Sequence, residues 1–334
     1  MTVETSDDLP QFCETGPSGS KVQVPEMRTG AILRVVALVA AGFLLLLALV
    51  AVWAWRSPPF YTRVAPGPLA APIMTMEEYS KVSAEHPRPY VVEIESADGA
   101  VLVYGASHTR NPRDPQIADI RRRWDAFRPT VALVEGRLGF LLPGIMDPVR
   151  QYGEMGAVND LARRSGVRVY SWEPPREVEF ARMLERFPAK RVALFYVLRP
   201  YFSNLRHGRP ADPDAYVEEY RRKRTAYPGL TNTLWNVADI DSIWKQDFPG
   251  LPDWRDTSDE YGLPGYLGGI SAASNGVRDE HLVNVLLDLA GHGARVFAIT
   301  GSSHSVKVEA ALRATLETRA VTSREPAAAV APLL

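Results

Sequence analysis

An α/β fold is what this 334-residue sequence predicts: a mainly parallel central sheet with helices on both faces, plus an N-terminal transmembrane helix. Three observations carry that expectation. Short, nearly continuous apolar runs alternate with amphipathic stretches, the pattern of strands covered by helices on both sides. Val35 to Trp55 is 21 residues without a charge, long enough at roughly 1.5 Å per residue to match a hydrocarbon layer of ~30 Å. Two apolar runs end alike, in Gly105-Ala106-Ser107-His108 and Gly301-Ser302-Ser303-His304, as strands do when a turn presents a side chain at the carboxyl edge of a sheet.

Taken in order, residues 1–30 are polar and without an apolar period, a disordered tail. Residues 31–56 hold the transmembrane helix, whose Trp53 and Trp55 suit a membrane interface. The polar tail before it argues against a cleavable signal. Lys21, Arg28 and Arg34 on one side outweigh Arg56 and Arg63 on the other, which places the amino terminus in the cytoplasm and the α/β domain outside it. Prolines at 58, 59, 66, 68 and 72 make 57–73 a stiff spacer.

The α/β domain then spans 74–320. Tyr90 to Ile94 and Val101 to Tyr104 flank Asp98-Gly99, a hairpin whose second strand delivers His108. Pro115 to Phe127 carries Ile117, Ile120, Trp124 and Phe127 at helical spacing, and Val131 to Val134 is a buried strand ending at Glu135. A helix at Gly156 to Ser165, a strand at Val167 to Tyr170 closed by Trp172-Glu173-Pro174, a helix from Arg176 to Phe187 and a strand from Arg191 to Leu198 continue the alternation. An insertion near 201–270, with helices expected at Pro213 to Arg224 and Leu234 to Gln246, has the length of a wall or lid. A helix at Asp279 to Ala290, capped by Asp279, leads into the strand Arg295 to Thr300 and a last helix from Val306 to Thr318, before a flexible tail at 321–334.

A formal net charge of −1 gives no electrostatic ground for nucleic-acid binding, and the single Cys13 allows no internal disulfide. The chemistry gathers at strand ends: His108, Glu135, Glu173 and His304, with Arg278 leading toward the second histidine. Two imidazoles and a carboxylate, here His108, Glu135 and His304, can hold a divalent metal that acidifies a bound water. The same groups can work without one, an imidazole acting as base toward water. No HExxH helix selects zinc, and neither Gly-x-x-His turn supplies the elbow of a serine hydrolase. The bland readings are a salt bridge of Glu135 with Arg137 or Arg113, and a helix start around Glu173.

These pieces, Gly105-Ala106-Ser107-His108, Val134-Glu135-Gly136, Trp172-Glu173-Pro174, Arg278-Asp279 with His281 to Asn284, and Gly301-Ser302-Ser303-His304, resemble the superfamily of Tiki and TraB/PrgY-like proteins, ChaN-like haem-binding proteins and erythromycin esterases. The resemblance implies a pocket shared by paired Gly-x-x-His turns and an acidic residue. From Tiki-like members it implies a membrane-associated, metal-dependent protease using His108, Glu135 and His304. From the esterases it implies His108 as base with Glu135, Arg278 and His304 as partners. From ChaN-like members it implies haem binding without turnover, in a membrane-attached homodimer. The expected function is a membrane-anchored hydrolase of an ester or peptide bond, with a small-molecule or peptide substrate.

Overall fold

The computed structural model describes residues 28–62, 67–205, 208–259 and 262–322; the tails expected at the two ends lie almost wholly outside them. Two units are distinct, residues 1–53 and 54–334. The described residues of the first are one helix, α1 (Arg28–Ala54), whose last residue belongs to the second unit. The helical stretch Ile32–Ala54 is long and apolar enough to cross a membrane.

The second unit is an α/β domain. Its five strands are β1 (Tyr90–Glu95), β2 (Ala100–Ala106), β3 (Val131–Val134), β4 (Arg168–Ser171) and β5 (Arg295–Gly301). They lie in the order β1-β2-β5-β3-β4, with β1 antiparallel to β2 and every other neighbouring pair parallel. The sheet is therefore mixed but mostly parallel, and the antiparallel strand sits at an edge.

Alternation along the strands feeds two cores. Leu102, Tyr104, Ala132, Val134, Phe297 and Ile299 face α3 (Pro115–Phe127) and α4 (Pro148–Arg164). Val101, Val103, Val131, Leu133, Val296 and Ala298 face the second half of α9 (Tyr266–Gly291) and α10 (Ser302–Thr322). Both helices of the first layer start on local chemistry. The Asp114 and Asp147 side chains accept the amide hydrogens of their own first turns, and Pro115 and Pro148 occupy first helical positions where no amide hydrogen is needed.

A third core is entirely helical. It joins α5 (Arg176–Leu184), α6 (Ala189–Asn204), α7 (Pro213–Arg224) and α8 (Val237–Asp247) to the first half of α9. The strand expected at Arg191 to Leu198 is thus part of α6 instead. Val192 through Leu198 are all buried, and a run buried on every side reads alike as central strand or core helix. The helical region accordingly begins before the insertion expected at 201–270.

Two further boundaries move. Helix α9 starts thirteen residues ahead of Asp279, so Asp279 is not a cap but a buried residue in mid-helix. The proline-bearing segment at 57–73 lies along the domain: Phe60 pairs with Ser171, the Tyr61 hydroxyl reaches Asp288 at 2.5 Å, and the Ala70 amide donates to Thr315 at 3.0 Å.

Candidate active site

Each of the four parallel strands, β2, β3, β4 and β5, is followed by one side chain of the site at the carboxyl edge of the sheet: His108, Glu135, Glu173 and His304. The His108 turn after β2 is fixed by Gln116 of α3, whose side-chain oxygen accepts from the Ser107 amide at 3.1 Å while its amide group donates to the Ser107 carbonyl. The Ser302 hydroxyl donates to the Gly105 and Ala106 carbonyls at 2.9 and 3.0 Å, tying the second Gly-x-x-His turn to the first.

The histidines converge on Gly301. A Cβ placed there would lie 3.2 Å from His108 Nε2 and 3.9 Å from His304 Cδ2. Each imidazole has a buried carboxylate on its other nitrogen. His108 Nδ1 is 2.5 Å from Glu154 Oε1, and His304 Nδ1 is bonded to Asp279, whose second oxygen receives Lys307 Nζ. Such a carboxylate sets ring orientation and tautomer.

Between the imidazoles runs a buried ionic cluster. Arg278 Nη2 donates to Glu135 at 2.7 Å and to Glu173 at 2.6 Å, while Nη1 stands 3.5 Å from His304 Nε2. The guanidinium also lies over Trp172, 5.2 Å from its ring centroid, and Trp172 meets His304 edge-on at 5.3 Å. The second oxygen of Glu135 accepts the Gly301 amide at 3.2 Å. The five residues marked by sequence are therefore brought together, with Glu135 linked to the backbone between the two histidines.

Electrostatics follow from that packing. Burial alone would raise the Glu135 carboxyl, but Arg278, followed by the two imidazoles, overrides it and brings the pKa down to about 2. Burial likewise opposes ionisation of Asp279, and His304 with Lys307 outweighs it, so its pKa falls. Arg278 is raised, because the charges of Glu173 and Glu135 exceed the penalty of burial. Arg278 thus holds the Glu135 carboxyl ionised in a low-dielectric place, and the charges beside Asp279 do the same for that residue.

His108 is the member that faces open space. Its side chain is 44 % exposed, and it lines a cleft of about 940 Å³ with Gly301, Ser302 and Ser303 on the sheet side and Phe202 and Leu205 from the end of α6 opposite. Asp259 and Arg88 also line it. Glu135 and Glu173 retain 21 % exposure each, whereas His304 and Arg278 are buried.

Sequence reading missed Glu154 and Lys307. Glu154 lies inside α4, at a break where Tyr152 and Gly153 leave helical geometry and Gly153 takes φ +60°. The kink turns the carboxylate toward His108, and Thr109 donates its amide to the same group at 3.2 Å. Lys307 carried a signal: a charged residue flanked by Val306 and Val308 and itself buried must have an ionic partner.

Among the described residues, no group of three His, Cys, Asp or Glu side chains is placed to hold a metal ion. The donor chemistry agrees, since the Glu135 oxygen and the His304 nitrogen that would bind a cation both face the Arg278 guanidinium. The cleft is lined about equally by polar residues, among them Ser107, Ser258, Asp259 and Ser303, and apolar ones, among them Met76, Tyr79, Phe202 and Leu205. No known family, curated protein or solved structure matches this chain.

Proposed function

We propose that the chain is a membrane-anchored hydrolase that activates water with His108 against an ester or peptide bond. One observation carries the reading: two imidazoles, each with a buried carboxylate on Nδ1, are directed at one glycine on the rim of a cleft. Pairing of that kind is costly to build and serves proton transfer.

In this mechanism Glu154 holds the His108 Nδ1 proton, so Nε2 is the basic nitrogen. It takes a proton from water as the oxygen adds to the carbonyl carbon, then returns that proton to the leaving alkoxide or amine. The first turn of α10, which begins at Ser302 on the cleft wall, supplies the positive end of a helix to the developing oxyanion. Glu135, Glu173, Arg278 and His304 are positioning residues: through the bond from the Gly301 amide to Glu135 they hold the wall opposite His108. No step passes through a metal. Helix α1 spans the bilayer, with the amino terminus inside as the positive charges favour.

The test is turnover by the full chain in detergent micelles on a panel of aryl esters and fluorogenic peptides, with His108→Gln and Glu154→Gln as variants. Loss of His108 should lower kcat by about a hundredfold or more, and Glu154→Gln should lower it less, with the fold kept by circular dichroism. A chelator should leave the rate unchanged. Full activity in His108→Gln sinks the proposal, and a rate abolished by chelator and restored by a divalent ion replaces it with the metal form.

A further inference from the structure

The loop between β3 and α4 is unusual for an exposed connection. Leu138 to Met146 reads Leu-Gly-Phe-Leu-Leu-Pro-Gly-Ile-Met, nine residues without a charge. Phe140 is exposed, and Ile145 is 79 % exposed. Leu138 and Leu141 turn inward and are buried, which leaves Phe140 and Ile145 as the large apolar side chains set out in solvent, a poor environment for them.

The loop is tied to the chain just after the apolar helix. The Leu141 amide donates to the Ala54 carbonyl at 2.9 Å, the Arg56 amide donates to the Gly139 carbonyl at 2.9 Å, and Trp55 pairs with Phe140 as an isolated antiparallel bridge. Ala54 is the last residue of α1. The apolar loop is thus strapped to the chain where the 23-residue apolar stretch ends, beside an exposed tryptophan of the kind that sits at a headgroup boundary. Arg137 and Arg150, both exposed, flank the loop with Asp147 between Arg150 and the loop's end, a rim of net positive charge that complements anionic lipid.

We infer that Leu138 to Met146 is a membrane-docking loop, with Phe140 and Ile145 entering the headgroup region of an anionic bilayer. The inference rests on the reading of α1 as a membrane anchor and is independent of the hydrolase reading. It also bears on the site. Glu135 lies only a few residues before the loop, and the Tyr152 hydroxyl donates to the Phe140 carbonyl at 2.9 Å from the kink that presents Glu154 to His108. A site built this way works at a lipid surface, and the substrates within its reach are those held at that surface.

The test places nitroxide labels on the full chain in vesicles of phosphatidylcholine and phosphatidylglycerol. With Cys13→Ser as background, Ile145→Cys, Leu45→Cys and Asp98→Cys are labelled singly, Asp98 being exposed in the β1–β2 turn at the opposite end of the sheet. Collision with oxygen should dominate at Leu45 and Ile145, and collision with a water-soluble nickel chelate should dominate at Asp98. A label at Ile145 as open to the chelate as that at Asp98, with Leu45 still in the bilayer, overturns the docking loop and leaves the anchor standing. Leu45 open to the chelate overturns both.

Discussion

At the scale of single residues, Glu135 shows how the site keeps its charge. Its carboxyl falls from an ordinary 4.5 to about 2 although burial pushes it upward. A depressed acid stabilises the fold above its unfolded pKa, and that contribution is lost as pH falls toward the folded value. In Glu135→Gln the missing stabilisation, on the order of 1–3 kcal/mol, should be complete at pH 7 and shrink between pH 4.5 and about 2. Melting temperatures of the two full-length proteins in detergent, compared from pH 7 to 3, measure it. A gap that stays constant with pH would mean that Arg278 does not hold Glu135 ionised. Four of the five residues of this site were legible in sequence because each stands within three residues of the end of an apolar strand, and Arg278 because it precedes the apolar face of the helix that leads to the last strand. Glu154 was not, because it reaches the site from a broken helix, and nothing around Tyr152 and Gly153 marks the break beforehand.

Among the elements, the two Gly-x-x-His turns look equivalent in sequence and differ in structure. Neither glycine is needed for a left-handed turn; both permit close approach. A Cβ on Gly105 would fall 2.6 Å from Ser305 Cβ and 2.8 Å from the Tyr90 carbonyl oxygen, inside the contact of β2 with β1 and α10. Rigid backbone cannot yield there, so Gly105→Ala should destabilise the protein by about 1–3 kcal/mol, seen as a lowered melting temperature. A Cβ on Gly301 meets only the imidazoles, at 3.2 and 3.9 Å. Gly301→Ala should therefore melt close to wild type and lose most of its kcat, and equal losses of stability in both variants would remove Gly301 from the site. The same scale explains the misplaced helix limits. Gly268, Gly269 and Gly276 weaken the helical signal of the first half of α9, and its packing against the helical core overrides that weakness. Arg191 to Leu198 failed for the opposite reason, too much apolar character to show a period.

Across the whole α/β domain, α9 belongs to two cores. Leu267, Ile270 and Val277 pack in the helical region, and Leu282 to Ala290 pack on the sheet, with Arg278 and Asp279 at the change-over. The carboxyl edge of the sheet is thus held in register with a separate helical wall by one continuous element. On the hydrolase proposal that division puts proton transfer at the strand ends and substrate selection at the wall, where Leu205 after α6 lines the same cleft as His108. Leu205 is partly buried and packs against the helical core as well as lining the cleft, so Leu205→Arg is read together with its melting temperature, which separates loss of the contact from loss of packing. The expected result is a raised KM, by about tenfold for a lost apolar contact of this size, with kcat little changed, because binding lost equally in ground and transition states leaves the chemical step alone. Steady-state kinetics on whichever ester or peptide the full chain turns over decides it. A fall in kcat at constant KM would mean instead that the wall takes part in chemistry, and that the insertion and the strand ends form one catalytic unit.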